Sequence, residues 1–317
     1  MVTAPHSGGR KQEQPFERFM YAVLDLYHQE KITDPKELGL RAQTLLAAET
    51  RPELPEGTHS ATRAKELVKQ VDETGGIAPE RPMRWLIEAL ALWPDCAEAY
   101  MWVSNIMEGR REAPLLMQPF YLLAVGALRR RLELPDDGAS GPLPDTADAA
   151  LYGRALRAVG EALASTRLYE EALRYYREAL VAFPADEELA RPRMALALLG
   201  LDRIDDADDE LAACGDGTLV RFAGTLATFA REGDSGRARE ALRAARHANP
   251  YVTSFVTGSR RWTGFLTGDP AIDEAALITL ALAPAFSHDG RMIPWIRKSV
   301  GGSVGPGPSS RRHGRRR

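Results

Sequence analysis

The most reactive side chains in this sequence belong to its two cysteines, Cys96 and Cys214. Cys96 follows Asp95 at the expected start of a helix, where the helix dipole can stabilise a thiolate and make the sulfur nucleophilic. No histidine or second cysteine lies near it in the sequence, so packing is the favoured interpretation and a reactive thiol is the alternative. Cys214 occupies a small-residue position of a recurring pattern, where packing is also expected. Their spacing matches no metal or redox motif, which indicates a reducing compartment.

A metal site would need histidines, cysteines or carboxylates that converge on one point. Five carboxylates lie within residues 205–210, but neighbouring positions point around a helix, which favours a solvated surface over a metal site. The glycines within residues 301–307 lack the flanking strand and helix that a phosphate-binding loop requires. The histidines are scattered, with no two at metal-ligand spacing on a helix; they are His6, His28, His59, His247, His288 and His313. We expect no metal, no cofactor and no catalysis.

The net charge of −3 conceals an arginine-rich end. Without five arginines of the last seven residues, 41 − 5 = 36 basic residues stand against 44 acidic ones, so the body carries 36 − 44 = −8. An acidic body excludes a general phosphate-tracking surface. The tail remains a candidate contact for nucleic acid or an anionic membrane surface, and a solubilising tail without a specific partner is the alternative. Its arginines are Arg311, Arg312, Arg315, Arg316 and Arg317.

Two segments bear on the cellular compartment. Residues 1–14 are polar and lack the apolar core of a secretory signal. The most apolar stretch, residues 115–128, includes Gln118 and Pro119 and is too short to cross a bilayer. We expect a cytoplasmic protein without a membrane span.

Apolar residues recur at helical intervals, and few β-branched residues alternate, so the predicted fold class is all-α. Helices are predicted from Phe16 to Tyr27, from Asp34 to about Glu49 and from Ser60 onward, with later helix pairs at about 151–184, 186–213 and 217–248. The predicted organisation is a disordered start (1–14), an N-terminal helical region (15–75), repeats (76–256), a C-terminal helical cap (257–299) and a disordered arginine-rich tail (300–317).

A short pattern recurs in the repeat region: a small residue, a bulky residue, a small residue and then proline. Its copies are Ala172, Tyr176, Ala179, Pro184; Ala238, Leu242, Ala245, Pro250; the degraded Pro82, Leu86, Ala89, Pro94; and Ala207, Leu211, Cys214 without the proline. Positions 172, 207 and 238 are separated by 207 − 172 = 35 and 238 − 207 = 31 residues. Such steps are close to the roughly 34-residue period of the tetratricopeptide repeat. Gly160 is expected to be small because the two helices of a repeat approach closely there, opposite Ala172.

These features resemble the tetratricopeptide repeat superfamily and predict a solenoid of helical hairpins with disordered termini. Three stretches are also similar to bacterial relatives of the suppression of tumorigenicity 7 family, with the order and spacing agreeing over roughly residues 80–297. They are PDCAEAY from Pro94, RLYEEA from Arg167 and NPYV from Asn249. The resemblance implies an all-helical repeat protein without a defined activity. Animal and plant members have membrane-spanning segments, which this sequence lacks, so no membrane role is carried over.

In such arrays the first helix of each repeat lines a concave surface, and four positions of the best repeat should face it: Arg154, Arg157, Glu161 and Ser165. The arginines could bind a carboxylate of a peptide. An ordinary exposed pair between Arg157 and Glu161, worth about 0.3 kcal/mol, is the favoured alternative. The predicted function is a protein–protein interaction scaffold that binds a peptide or helix of a partner protein. The alternative is a nucleic-acid-associated regulator tethered by the arginine tail.

Two further segments allow more than one interpretation. The first helix of the next unit is apolar on more than one side, so it is either sandwiched between neighbours, which is favoured, or offers an apolar groove to a partner helix. Its apolar residues are Met194, Leu196, Leu198 and Leu199. Arg260, Arg261 and Trp262 form either a basic aromatic surface or, as favoured, a segment that caps the final repeat.

Overall fold

The structure, a computed structural model, is helical wherever it has regular structure. It describes Arg41 and residues 59–74, 80–107, 113–261 and 267–301. Within these ranges there are fourteen α-helices and no strand, which confirms the all-α prediction. The chain divides into two compact units between Asp186 and Glu187. The helices expected within residues 16–49 and the disordered start expected at 1–14 lie outside the described residues. The disordered tail was expected from residue 300, but the last helix continues to Gly301, and residues 302–317 also lie outside the described residues.

The first unit is a series of helical hairpins. Each described helix packs against the next one along the chain, and a 3₁₀ turn at Pro184–Asp186 follows the last of them. In chain order these helices are α1 Ser60–Thr74, α2 Glu80–Leu92, α3 Ala97–Met107, α4 Ala113–Arg131, α5 Ala147–Ser165 and α6 Tyr169–Ala182. Pro184, the last residue of the recurring pattern, therefore lies just after the end of α6. Proline has no N–H and a fixed φ, so it cannot continue the helix.

The α5–α6 hairpin is the pair that the sequence pattern matches best. Thr146 caps α5 by accepting a hydrogen bond from the Ala149 amide at 3.2 Å. Gly160 is buried, and a Cβ placed on it would lie 2.7 Å from Cζ of Tyr176 and closer still to Cε1. All three nearest atoms belong to that ring, so the residue that Gly160 accommodates is Tyr176 rather than Ala172. The reason is that helical side chains lean toward the helix N-terminus, which brings the Tyr176 ring over the turn of Ala172.

One apolar residue at the turn of this hairpin is exposed. Leu168 precedes α6 and is 41% exposed. Arg167 adopts a left-handed φ of 66°, which turns the chain between the helices, and α6 begins only at Tyr169. Tyr169 is the buried side chain at this end of the helix.

The second unit begins with two helical hairpins and continues with shorter helices. Successive helices from the first to the seventh pack on one another, and the eighth packs on the fifth. In chain order they are α7 Glu187–Gly200, α8 Ile204–Ala212, α9 Thr218–Glu232, α10 Gly236–Ala248, α11 Pro250–Val256, α12 Pro270–Ala281, α13 Ala283–His288 and α14 Met292–Gly301. Helices α12 and α13 are separate, since Leu282 forms a turn between them. No helix in the described ranges has both the length and the hydrophobicity needed to span a bilayer.

Helix α7 is buried on several sides. It packs against α8, α9 and α13, and Met194, Leu196, Leu198 and Leu199 are each at most 3% exposed. These four residues are therefore sandwiched, as favoured, and do not line an open groove. Besides its sequence neighbours, α7 is also buried by α13, which lies far from it in the sequence.

Candidate functional site

The last turn of α4 carries three consecutive arginines, and each one binds a carboxylate from another helix or turn. Arg131 bonds Glu98 of α3 at 2.9 Å and Asp148 of α5 at 3.0 Å, and its side chain is only 10% exposed. Its guanidinium also lies over the Trp93 ring, 5.0 Å from the ring centroid. Arg130 bonds Asp95 at 2.9 Å. Cations at a helix C-terminus are favoured by the dipole, and here they also tie α4 to its neighbours.

Arg129 joins α4 to both helices of the best repeat. Its guanidinium bonds Glu178 of α6 at 2.8 and 2.9 Å and the Tyr152 hydroxyl of α5 at 2.9 Å. The Tyr152 hydroxyl in turn donates to Glu178. Burial, together with the Glu178 carboxylate, raises the pKa of Tyr152, so this phenol stays protonated and remains a donor at neutral pH.

The same carboxylate fixes the loop between α4 and α5. The Ala139 amide donates to Glu178 at 3.4 Å, and the Asp136 carbonyl accepts from Arg129. Gly138 has a φ of 106°, and a Cβ there would lie 2.9 Å from Glu178 Oε2 and closer to the rest of that carboxylate. The loop predicted over 135–146 is thus held by the side chains that link α4, α5 and α6.

These contacts fix the rotation of α5 about its axis. Asp148, Tyr152 and Gly160 face the neighbouring helices, and the four predicted groove residues fall on the opposite face at helical spacing. Arg154, Glu161 and Ser165 are exposed, whereas Arg157 is half-buried. We call these four residues, Arg154, Arg157, Glu161 and Ser165, the α5 stripe.

The ion pairs and hydrogen bonds that hold α5 on the side opposite the α5 stripe were not predicted from the sequence. The paired residues lie 17 to 49 positions apart along the chain, so no local spacing identifies the pairs. The available signal was the run of three arginines after an apolar helix in an otherwise acidic body.

The two cysteines differ in their surroundings. Cys96 is fully buried, and burial with the nearby Glu98 carboxylate raises the pKa of its thiol to about 12. This side chain is a neutral thiol at physiological pH, which supports packing over a reactive thiolate. Cys214 lies beyond the end of α8, is half-buried and donates to the Glu210 carbonyl at 3.2 Å. The packing expected of Cys214 is therefore only partial.

The acidic residues of α8 lie on a solvent-exposed surface, as predicted, and several of them also form ion pairs. Arg231 of α9 binds both Asp205, at 2.5 Å, and Asp208. Arg191 of α7 binds Glu210 at 2.7 Å. The run thus links α8 to the helices on either side through solvent-exposed ion pairs, which solvent screens.

Several other predicted positions take ordinary roles or lie outside the described residues. His288 Nε2 lies 3.2 Å from Asp202, and across the described ranges no group of three metal-ligating side chains could hold an ion. Arg260 lies over the Tyr251 ring at 5.1 Å and Arg261 is exposed. Trp262 and the tail arginines Arg311, Arg312, Arg315, Arg316 and Arg317 fall outside the part of the chain that the structure describes.

Comparison with known proteins gives no family for this chain. No protein-family description, curated protein or solved structure matches it. The geometry of the α5 stripe is therefore the basis for assigning a function.

Proposed function

We propose that this chain is a non-catalytic scaffold of the tetratricopeptide type, which binds a peptide or helix of a partner protein along the α5 stripe. The hairpin arrangement supports this, because stacked helix pairs leave one face of each first helix available to ligands. The similarity to bacterial relatives of the suppression of tumorigenicity 7 family and a cytoplasmic location belong to the same proposal.

The observation that carries the proposal is the contrast between the two faces of α5. One face is fixed by Asp148, Tyr152 and Gly160, while the other presents exposed polar side chains. From Arg154 to Ser165 the stripe extends about 16 Å along the helix axis, at about 1.5 Å per residue. A receptor helix that is held in place loses little conformational entropy on binding.

The charges of the stripe indicate what it can recognise. Arg154 and Arg157 can bind carboxylates, whereas Glu161 can bind a donor or cation on the partner. The subtype that binds a chain-terminal carboxylate has asparagine four residues after its basic residue, and this chain has Glu161 there. We therefore assign the stripe to an internal segment or helix that carries both charges.

Reversal of charge on the stripe tests this proposal. Arg154→Glu should weaken capture of partner proteins in a crosslinking pull-down with the full chain by about tenfold, because one favourable contact becomes repulsive. Arg174→Glu is the matched control, since Arg174 is an exposed arginine on α6 of the same hairpin. Equal capture by the wild type and Arg154→Glu would contradict the proposal, as would equal losses in both variants.

A further inference from the structure

The second unit contains a cleft with a strong excess of positive charge. It lies between α10 and α14 and has a volume of about 370 Å³. Its lining includes Asp234, Arg239, Leu242, Arg243, Arg246 and Lys298. We call it the basic cleft. Four cations and one carboxylate give it a balance of 4 − 1 = +3, opposite in sign to the acidic body of the chain.

The carboxylate in the basic cleft is already fully engaged. Asp234 accepts a hydrogen bond from Arg239 at 2.6 Å and from the Trp295 indole at 2.9 Å, and Lys298 Nζ lies 3.7 Å from it. The Arg239 hydrogen bond holds the pKa of Asp234 well below its usual range, so it is ionised at neutral pH. This single charge cannot also neutralise the remaining arginines.

Two of these arginines have no anionic partner in the described residues. Arg243 is exposed and Arg246 is half-buried, and neither forms an ion pair there. The Arg246 Nε is buried without a hydrogen-bond acceptor. A buried donor without an acceptor is destabilising, more so when it is charged, and an anion in the cleft would remove that penalty.

The cleft is preformed by apolar contacts beneath it. Trp295 of α14 stacks on Phe229 of α9 with ring centroids 4.4 Å apart, and both rings are almost fully buried. Leu242, also buried, places the arginines of α10 beside α14. The guanidinium groups are thus carried by a packed framework.

The spacing of the arginines indicates the size of the anion. Arg239, Arg243 and Arg246 follow one face of α10, and the two that bind no anion in the described ranges, Arg243 and Arg246, are about 4.5 Å apart along it at about 1.5 Å per residue. They can therefore meet two carboxylates on nearby residues of an extended peptide, at about 3.3 Å per residue. A nucleic-acid backbone is a poorer match, because the acidic body would repel its phosphates outside the cleft.

We propose that the basic cleft binds a segment rich in aspartate and glutamate on a protein partner. This rests on the proposed scaffold function and gives that function a second contact, on α10 and α14. Arg243 and Arg246 bind carboxylates of the segment, while Arg239 stays bonded to Asp234 and keeps the turn before α10 in place.

The test is direct binding to the full chain, measured by fluorescence anisotropy with a labelled peptide of alternating glutamate and glycine. Arg243→Gln should weaken binding about tenfold, since a charge-assisted hydrogen bond is lost, and the further change Arg246→Gln should weaken it more. Arg237→Gln is the matched control because Arg237 lies on the same helix and pairs with Glu232 at 3.2 Å. It should leave the affinity unchanged.

Several results would overturn the proposal. These are equal binding of a glutamine–glycine peptide, no effect of Arg243→Gln, or tighter binding of a single-stranded RNA that also depends on Arg243. The two proposals fail separately. If the acidic peptide does not bind while Arg154→Glu still loses partner capture, only the basic cleft is wrong. If the peptide binds but Arg154→Glu captures partners normally, only the α5 stripe is wrong.

Discussion

Adding one methyl group at Gly160 should force α5 and α6 apart. In Gly160→Ala the new Cβ would lie 2.7 Å from Cζ of Tyr176 and closer to Cε1, well inside van der Waals contact. The ring cannot move aside easily because Tyr176 is only 1% exposed. Overpacking of this kind costs about 1–3 kcal/mol, and replacing a helical glycine returns about 0.5–1 kcal/mol. We expect a net loss of about 1–2 kcal/mol in the free energy of unfolding.

Urea unfolding followed by far-UV circular dichroism measures this loss. With a slope of about 2 kcal/mol per molar urea, the midpoint should fall by about 0.5–1 M. Gly126→Ala is the matched control: Gly126 lies within α4 of the same unit, and its added Cβ would meet only Arg130 Nη1, at an ordinary 3.6 Å. This variant should be slightly more stable than the wild type.

A double-mutant cycle separates the steric effect from other causes. Tyr176→Leu removes the ring atoms that the new methyl group would meet. The two substitutions together should therefore cost about 1–2 kcal/mol less than the sum of the single changes. Additivity within about 0.5 kcal/mol, or a stabilising Gly160→Ala, would refute the close approach of these two residues.

Three further predictions concern charged and thiol groups. Arg131→Met should lower the free energy of unfolding by about 2 kcal/mol because it leaves two partly buried carboxylates unpaired. Arg130→Met, at a more exposed arginine, should cost less than about 1 kcal/mol. Equal losses in thermal unfolding would contradict this prediction. The lowered pKa of Asp234 implies stability that is present above about pH 4 and is lost as the pH falls below it, so Asp234→Asn should flatten the acid limb of stability against pH. At pH 8 an alkylating reagent should modify Cys214 before Cys96, because the Cys96 thiol is buried and its pKa is raised to about 12. Peptide mass spectrometry measures the two rates, and faster modification of Cys96 would be inconsistent with its buried position.

Local signals in the sequence were sufficient for the helix boundaries of the best-matched region. Pro184 and Pro250 mark where one helix has ended or the next begins, and Gly233, at a φ of 68°, forms the turn between α9 and α10. These residues act through their own backbone conformation, which is a property of the residue type and can be recognised in any sequence.

Side-chain partners were harder to predict because they depend on how distant segments pack. Gly160 was identified as a close contact, but its partner is Tyr176, since the direction of a helical side chain carries the ring one turn back. The ion pairs of the α8 acids could not be predicted because Arg231 and Arg191 belong to other helices. The positions of the α5 stripe follow from helical spacing, whereas the ion pairs behind it required the tertiary structure.

The three arginines that end α4 have a consequence for the evolution and engineering of this chain. One short stretch of backbone supports α3, α5 and α6 at once, so an insertion or deletion inside it would displace three attachment points together. The outward-facing positions of α5 do not hold several helices together in this way. Libraries that vary Arg154, Glu161 and Ser165 while leaving the triplet intact should therefore retain the fold and show whether the proposed partner binding depends on these positions.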